Sequence, residues 1–351
     1  MIDLGREPVD IGVIGTGQRG RRHIEFLREA GGARIVALAD SHVPSLAGAQ
    51  SLLPDDAAET HTYHDWSDLL DDDRVEAVIV ALPNHLHTEV AIAALHCGKH
   101  VLLEKPVALS VADCKRLLAA ERDSRGILQI GLELRYATVV RHLRAAIDGG
   151  AIGEPRLAWC HEFRVPFREK VDGWILDPAR SGGTFVEKNC HHFDLLSWFL
   201  GAEPTRVAAF GGGDVVYRDQ PGMADNAWVI VDHAGGKRAS LGVSMFSAFH
   251  RLEFGILGES GLLTADFSTR DVTLTRPDGS KETTAVSDPA SGRIAEHGGA
   301  DLLQAEDFLR TVATGDRPSV TLQDGIRSLL IALAAQQALD TGDVIPISPL
   351  W

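Results

Sequence analysis

The chain has 351 residues, 44% of them hydrophobic and 24% charged, with a formal net charge of −15. That length suits two domains better than one core, and the acidic excess argues against a nucleic-acid partner, which needs clustered Lys and Arg. No apolar run reaches membrane-spanning length, residues 1–7 lack a basic-then-apolar leader pattern, and Cys97, Cys114, Cys160 and Cys190 have no paired spacing; the expected setting is a reducing cytoplasm with no membrane partner.

In chain order, apolar runs of strand length fall at 10–14, 34–39, 75–82, 99–103 and 127–131, with helix-compatible stretches such as Arg21 to Glu29 and Glu89 to His96 between them. Alternation of this kind predicts a doubly wound parallel sheet with right-handed crossovers, an α/β fold. The first run leads into Gly15-Thr16-Gly17-Gln18-Arg19-Gly20. In such a turn the first glycine permits the tight bend, the second lets a pyrophosphate approach the backbone, and the third lets the next helix pack closely. The helix starting near Gln18 would aim its free N–H groups at the phosphates. Asp40 closes the second run, 20 residues after Gly20, where a carboxylate accepts the ribose hydroxyls of an adenosine. No Arg follows it, only Ser41 and His42, so the sequence predicts NAD rather than NADP.

Ligands of doubly wound sheets sit just past the carboxyl ends of strands. Leu82-Pro83-Asn84 and Glu104-Lys105-Pro106 lie at two such ends. A lysine there can donate to a substrate oxygen and stabilise a developing alkoxide, although a solvated turn lysine fits the same position.

After about residue 132 the texture changes, and the expected domains are 1–132 and 133–351. Segments 155–165, 205–217, 226–233, 238–248, 252–258, 262–266 and 271–276 read as successive strands with Gly-, Pro- and Asp-rich turns, which predicts a mostly antiparallel sheet; helices return at 300–313 and 323–341. The second domain is therefore expected to be α+β.

Within it, Glu187, His191 and Asp194 share one face if the segment is α-helical, and the following Gly201 reads as a helix stop. A carboxylate one turn from an imidazole can orient it as a proton acceptor near neutral pH; a capping acid beside a partly buried histidine is the alternative. Trp174 can form an apolar wall of a substrate site or belong to the core. His297 is a weaker substrate-contact candidate. His85, His87, Cys190, His191 and His192 lack zinc-site spacing, so no metal is expected, and no Gly-x-Ser-x-Gly nucleophile turn is present.

Taken together, the Gly15–Gly20 loop with Asp40, Pro83-Asn84-His85-Leu86-His87, the run Lys99-His100-Val101-Leu102-Leu103-Glu104-Lys105-Pro106, Gly182-Gly183, Glu187 with His191, and Gly315-Asp316-Arg317-Pro318 resemble the glucose–fructose oxidoreductase/inositol dehydrogenase (Gfo/Idh/MocA) family over essentially the full length. The resemblance implies an N-terminal dinucleotide domain and a C-terminal domain whose open sheet forms a homodimer or homotetramer interface. It implies oxidation of a secondary hydroxyl on a small polyhydroxylated substrate, a sugar or cyclitol, or the reverse reduction. By the same resemblance, the cofactor would be held by Gly15, Thr16, Gly17, Gln18, Arg19, Gly20, Asp40, Leu82, Pro83, Asn84, His87, Glu104 and Lys105. Lys105 matches the family lysine at the reacting hydroxyl, His191 the proton-transfer histidine, and Glu187 a position that is commonly Asp. Asp194 matches a family acid near the substrate. Arg135 stands where the family often has Arg-Arg-Phe, either lining the pocket or making a salt bridge at a helix start. Two rival functions stand beside it: a glycosidase acting by transient oxidation and elimination, which needs the same site, and a non-catalytic dinucleotide sensor, which would be expected to lose the lysine or the histidine.

Overall fold

Val9, Ile11, Val13 and Ile14 are fully buried, as a strand covered on both faces of a parallel sheet requires. They form β1 (Val9–Ile14) in a computed structural model that describes residues 4–53, 60–287 and 299–351. The chain divides into two compact units, Met1–Glu133 with Asp301–Ile326, and Leu134–Ala300 with Arg327–Trp351.

In the first unit β1 is followed by α1 (Gln18–Ala30), β2 (Ala33–Ala39), α2 (Val43–Gln50), β3 (His61–Tyr63), α3 (Trp66–Leu70), β4 (Ala77–Val80), α4 (His87–His96), β5 (His100–Glu104), α5 (Val111–Asp123) and β6 (Leu128–Gly131). The sheet order is β3-β2-β1-β4-β5-β6, all parallel. This is the doubly wound dinucleotide order, whose switch point lies between β1 and β4. The strand at β3 has no counterpart among the apolar runs, because His61-Thr62-Tyr63 is a short polar edge strand with two exposed residues. Segment 301–326 joins this unit: the Ile130 N–H donates to the Val320 carbonyl at 3.1 Å.

The second unit holds α6 (Thr138–Asp148), β7 (Pro155–Phe163), α7 (Pro178–Ser181), a π-turn at Phe185–Asn189, α8 (Cys190–Leu200), β8 (Pro204–Gly212), β9 (Asn226–His233), β10 (Lys237–Ser244), β11 (Arg251–Gly258), β12 (Gly261–Asp266), β13 (Asp271–Thr275), β14 (Lys281–Ala285), α9 (Ala300–Thr314, nearly all in the first unit), α10 (Leu322–Thr341, crossing from the first unit into the second) and β15 (Ile345–Pro346). Its nine-stranded sheet runs β14-β13-β12-β11-β7-β10-β9-β8-β15. Among the described residues only β7 and β10 pair in parallel in it, so the sheet is mostly antiparallel, as expected. The fully exposed run of β14 and the two-residue β15 carry too little apolar patterning to be read from sequence.

Strand alternation puts Ala158, Cys160 and Glu162 of β7 on the face covered by α8, where Phe193, Leu196 and Phe199 are buried and Phe199 meets Phe254 edge-on at 5.9 Å. Each such aromatic contributes about 1.5–3 kcal/mol by burial. α8 ends at Gly201 in the left-handed region, φ 59°, where a glycine avoids the Cβ penalty.

Candidate active site

Two glycines of the first βα turn are required by space. Gly15 has φ 87°, and a Cβ there would lie 2.4 Å from the Ala81 carbonyl oxygen; at Gly20 it would lie 1.9 Å from the Gly15 carbonyl oxygen. A Cβ on Gly17 would meet nothing within 4 Å, so the backbone there is open to a ligand. Helix α1 begins with no side-chain cap and no acidic residue in its first turn, so the positive end of its dipole favours an anion there. A cradle of this shape, at the switch point of the sheet, fits a dinucleotide pyrophosphate.

Asp40 at the end of β2 accepts from the Thr16 N–H at 2.7 Å and the Thr16 hydroxyl at 3.0 Å, while its other oxygen accepts from the His42 N–H at 2.8 Å. The acid is thus fixed against the glycine turn. Arg19 is directed into the protein: its Nε donates to Glu104 at 2.6 Å and its Nη1 to Asp301 at 2.5 Å, with Glu133 at 4.0 Å. His23 Nε2 lies 2.6 Å from the same Glu104 oxygen. Burial opposes both charges, but Glu104, Asp301 and Glu133 outweigh it for Arg19, and Arg19 with His23 holds Glu104 well below the usual carboxylate range. The partnership with Asp301 had no sequence signal, because the two residues are 282 positions apart.

Glu104 closes β5, and the half-buried Lys105 follows, joined to Pro106 by a cis peptide bond. Leu82, Pro83 and the buried Asn84 follow β4. His87 is buried between these two loops, with Nδ1 2.7 Å from the Pro106 carbonyl oxygen and Nε2 2.9 Å from that of Leu82. It holds the β4 and β5 loops together from behind.

In the second unit, the segment expected to be α-helical from Glu187 opens instead as a π-turn over Phe185–Asn189, with α-helix only from Cys190. Periodicity of apolar residues cannot distinguish one widened turn from an α-turn, and such turns recur at functional sites. Thr184 anchors its start by donating to the Ala224 carbonyl at 2.6 Å. His191 is only 4% exposed at the start of α8; Glu187 in the π-turn is partly exposed. Arg135 makes a bidentate pair with Asp194, 2.7 Å from Nε and 2.6 Å from Nη2, and lies over the Trp198 ring. Trp174 sits half-buried in a turn at Val171–Leu176. His297 lies outside the described residues.

The sequence reading missed Glu162, which faces α8 from β7 and draws Lys188, His192 and Arg164 around it. A charged residue at an inward position of an alternating strand was the available signal.

Residues 9–132 match the sequence profile of an oxidoreductase family with an NAD-binding Rossmann fold, and residues 140–264 match the GFO/IDH/MocA C-terminal domain. With the glycine cradle and the strand order, these define an NAD-binding oxidoreductase. The chain belongs to the Gfo/Idh/MocA family. It is 29% identical over 337 residues to the myo-inositol 2-dehydrogenase of Thermotoga maritima, covering 94% of this chain and 96% of that protein. A solved probable dehydrogenase from Thermotoga maritima superposes with a TM-score of 0.80 at 27% identity, over 96% of this chain and 98% of that one. Levoglucosan dehydrogenase in complex with NADH shares the fold, with a TM-score of 0.86 at 20% identity over 98% and 100% of the two chains.

Proposed function

We propose that this chain oxidises a secondary ring hydroxyl of a sugar or cyclitol, or reduces the corresponding ketone, with NAD(H) as its cofactor. The observation that carries the reading is Lys105 at the carboxyl end of β5, on the same parallel sheet as the open glycine cradle. Family membership and the relatives named inositol 2-dehydrogenase support it.

The bound nicotinamide supplies the hydride acceptor. The turn Gly15–Gly20 offers backbone N–H groups to the pyrophosphate, with Thr16, Gln18 and Arg19 shaping the turn, and Asp40 takes the adenosine ribose. A 2′-phosphate at Asp40 would meet a carboxylate with no cationic clamp, which supports NAD over NADP. Leu82, Pro83 and Asn84 border the cofactor, with His87 and Glu104 setting the two loops. Lys105 donates from Nζ to the reacting oxygen and stabilises it as the proton leaves. His191 takes that proton on its imidazole. Glu187 orients the histidine, its extra methylene relative to Asp compensated by the wider π-turn. Arg135, Asp194 and Trp174 line the substrate side, and His191 with Lys105 speaks for an enzyme over a sensor.

The test is NADH formation across inositols, hexoses, anhydrosugars and sugar acids, with nitrophenyl glycosides alongside. NADH accumulating in step with a polyol supports the dehydrogenase; aglycone release with catalytic NAD and no net NADH replaces it with the glycosidase; no turnover with tight NADH binding replaces it with the sensor.

A further inference from the structure

Glu162 is completely buried, yet among the described residues neither of its carboxylate oxygens makes a hydrogen bond of good geometry. It is surrounded by basic groups instead: His192 Nε2 at 3.1 Å, Lys188 Nζ at 3.4 Å, Arg164 Nη1 at 3.8 Å and His250 Nε2 at 3.9 Å. Burial pushes the carboxyl upward, but Lys188, His192 and Arg164 prevail and hold it well below the usual carboxylate range. Apolar groups adjoin it in this layer, with Ala158 and Cys160 beside it on β7 and Phe193, Phe199 and Phe254 buried nearby. An isosteric apolar residue commonly serves stability as well as a buried ion pair does. A charge retained here therefore points to a demand other than stability.

The demand is visible in the order of the residues. Lys188 directly follows Glu187, and His192 directly follows His191. Lys188 lies in the π-turn and His192 in α8, so Glu162 grips the segment on both sides of the change from π to α geometry. Asn189, between them, places Nδ2 3.2 Å from His192 Nδ1 and fixes that ring from its other edge. Neighbouring positions on a helical segment turn together. Fixing 188 and 192 against β7 fixes the rotation of 187 and 191.

We infer that Glu162 is a positioning residue that, through Lys188 and His192, holds the π-turn and so sets Glu187 against His191 for proton transfer. The inference rests on the proposed role of His191. Without the buried carboxylate the turn is free to relax toward α geometry, and a displacement of about 1 Å at a proton-transfer pair costs about 100-fold in rate.

The test uses the full chain with NAD and the best polyol of the panel. Glu162→Gln keeps shape and removes charge; melting temperature and NADH fluorescence report folding and the separate dinucleotide site. The expected result is a folded protein with unchanged KM for NAD, kcat lowered about 10- to 100-fold, and partial recovery in Glu162→Asp. Parental kcat in folded Glu162→Gln overturns the inference. Should Glu162→Gln fail to fold, Lys188→Met decides: lowered kcat at unchanged KM for NAD supports positioning, and parental kcat overturns it. The underlying reading fails separately, through a His191→Ala enzyme that keeps its turnover. Loss in His191→Ala beside full kcat in Glu162→Gln overturns only the role of Glu162.

Discussion

The Thr16 N–H donates to Asp40 Oδ2 over 2.7 Å, tying the glycine turn after β1 to the acid after β2. The same carboxylate proposed to receive the ribose also shapes the phosphate cradle. Asp40→Ala should raise KM for NAD by about tenfold or more, since hydrogen bonds to a charged group contribute about 1.5–3 kcal/mol each. It should also narrow the NAD-to-NADP preference. Steady-state kinetics with both cofactors check this; an unchanged ratio removes Asp40 from cofactor choice.

Arg19 serves buried acids, so its removal should weaken the fold of the first unit. Arg19→Met leaves Glu104, Glu133 and Asp301 facing one another with little compensation, and breaking a buried pair in this way costs about 3–5 kcal/mol. Urea unfolding of the whole chain should show a clearly lower midpoint. An unchanged midpoint would mean that water already screens the cluster.

The glycine turn, Asp40 and Lys105 were legible in the sequence because each is a local pattern: a strand, a turn and a residue at a strand end. The lock between Arg19 and Asp301 was not, since it joins the first helix to a segment that returns from the far end of the chain. Nor was the π-turn, because Glu187 and His191 keep a spacing of four in either geometry. Glu162 was hidden for a different reason: a strand position reports its face, not the basic groups that the π-turn and helix packed on it direct at that position.

Acid should destabilise the protein well above the range of its carboxylates. Burial pushes the His233 imidazole down to about 4, and burial likewise lowers His192 and His100. The unfolded state, with a histidine pKa of about 6.5, then binds more protons than the folded state between pH 6.5 and 4, so stability falls as pH falls through that window. His233 alone corresponds to about 3 kcal/mol across it. Melting temperatures measured from pH 7 to pH 4.5 should decline, and the decline should flatten in His233→Gln. Identical slopes in the two proteins would contradict the assignment.

The outer face of the nine-stranded sheet carries Phe210, 75% exposed, beside Trp228 and Ile230, each more than half exposed. A contiguous apolar patch of this kind marks an association surface, and a homodimer or homotetramer would cover it. Light scattering on the purified chain should give an oligomer mass, and Phe210→Glu with Trp228→Glu should give a monomer. A monomeric parent protein would rule this out.

The most direct test of the account is the turnover of His191→Ala on the best polyol, measured by NADH formation. Losing a positioned proton acceptor should lower kcat by about 10²–10⁴, with NADH binding intact because the glycine cradle lies in the other unit. Turnover at the parental rate would contradict proton transfer through His191, and with it the proposed reaction.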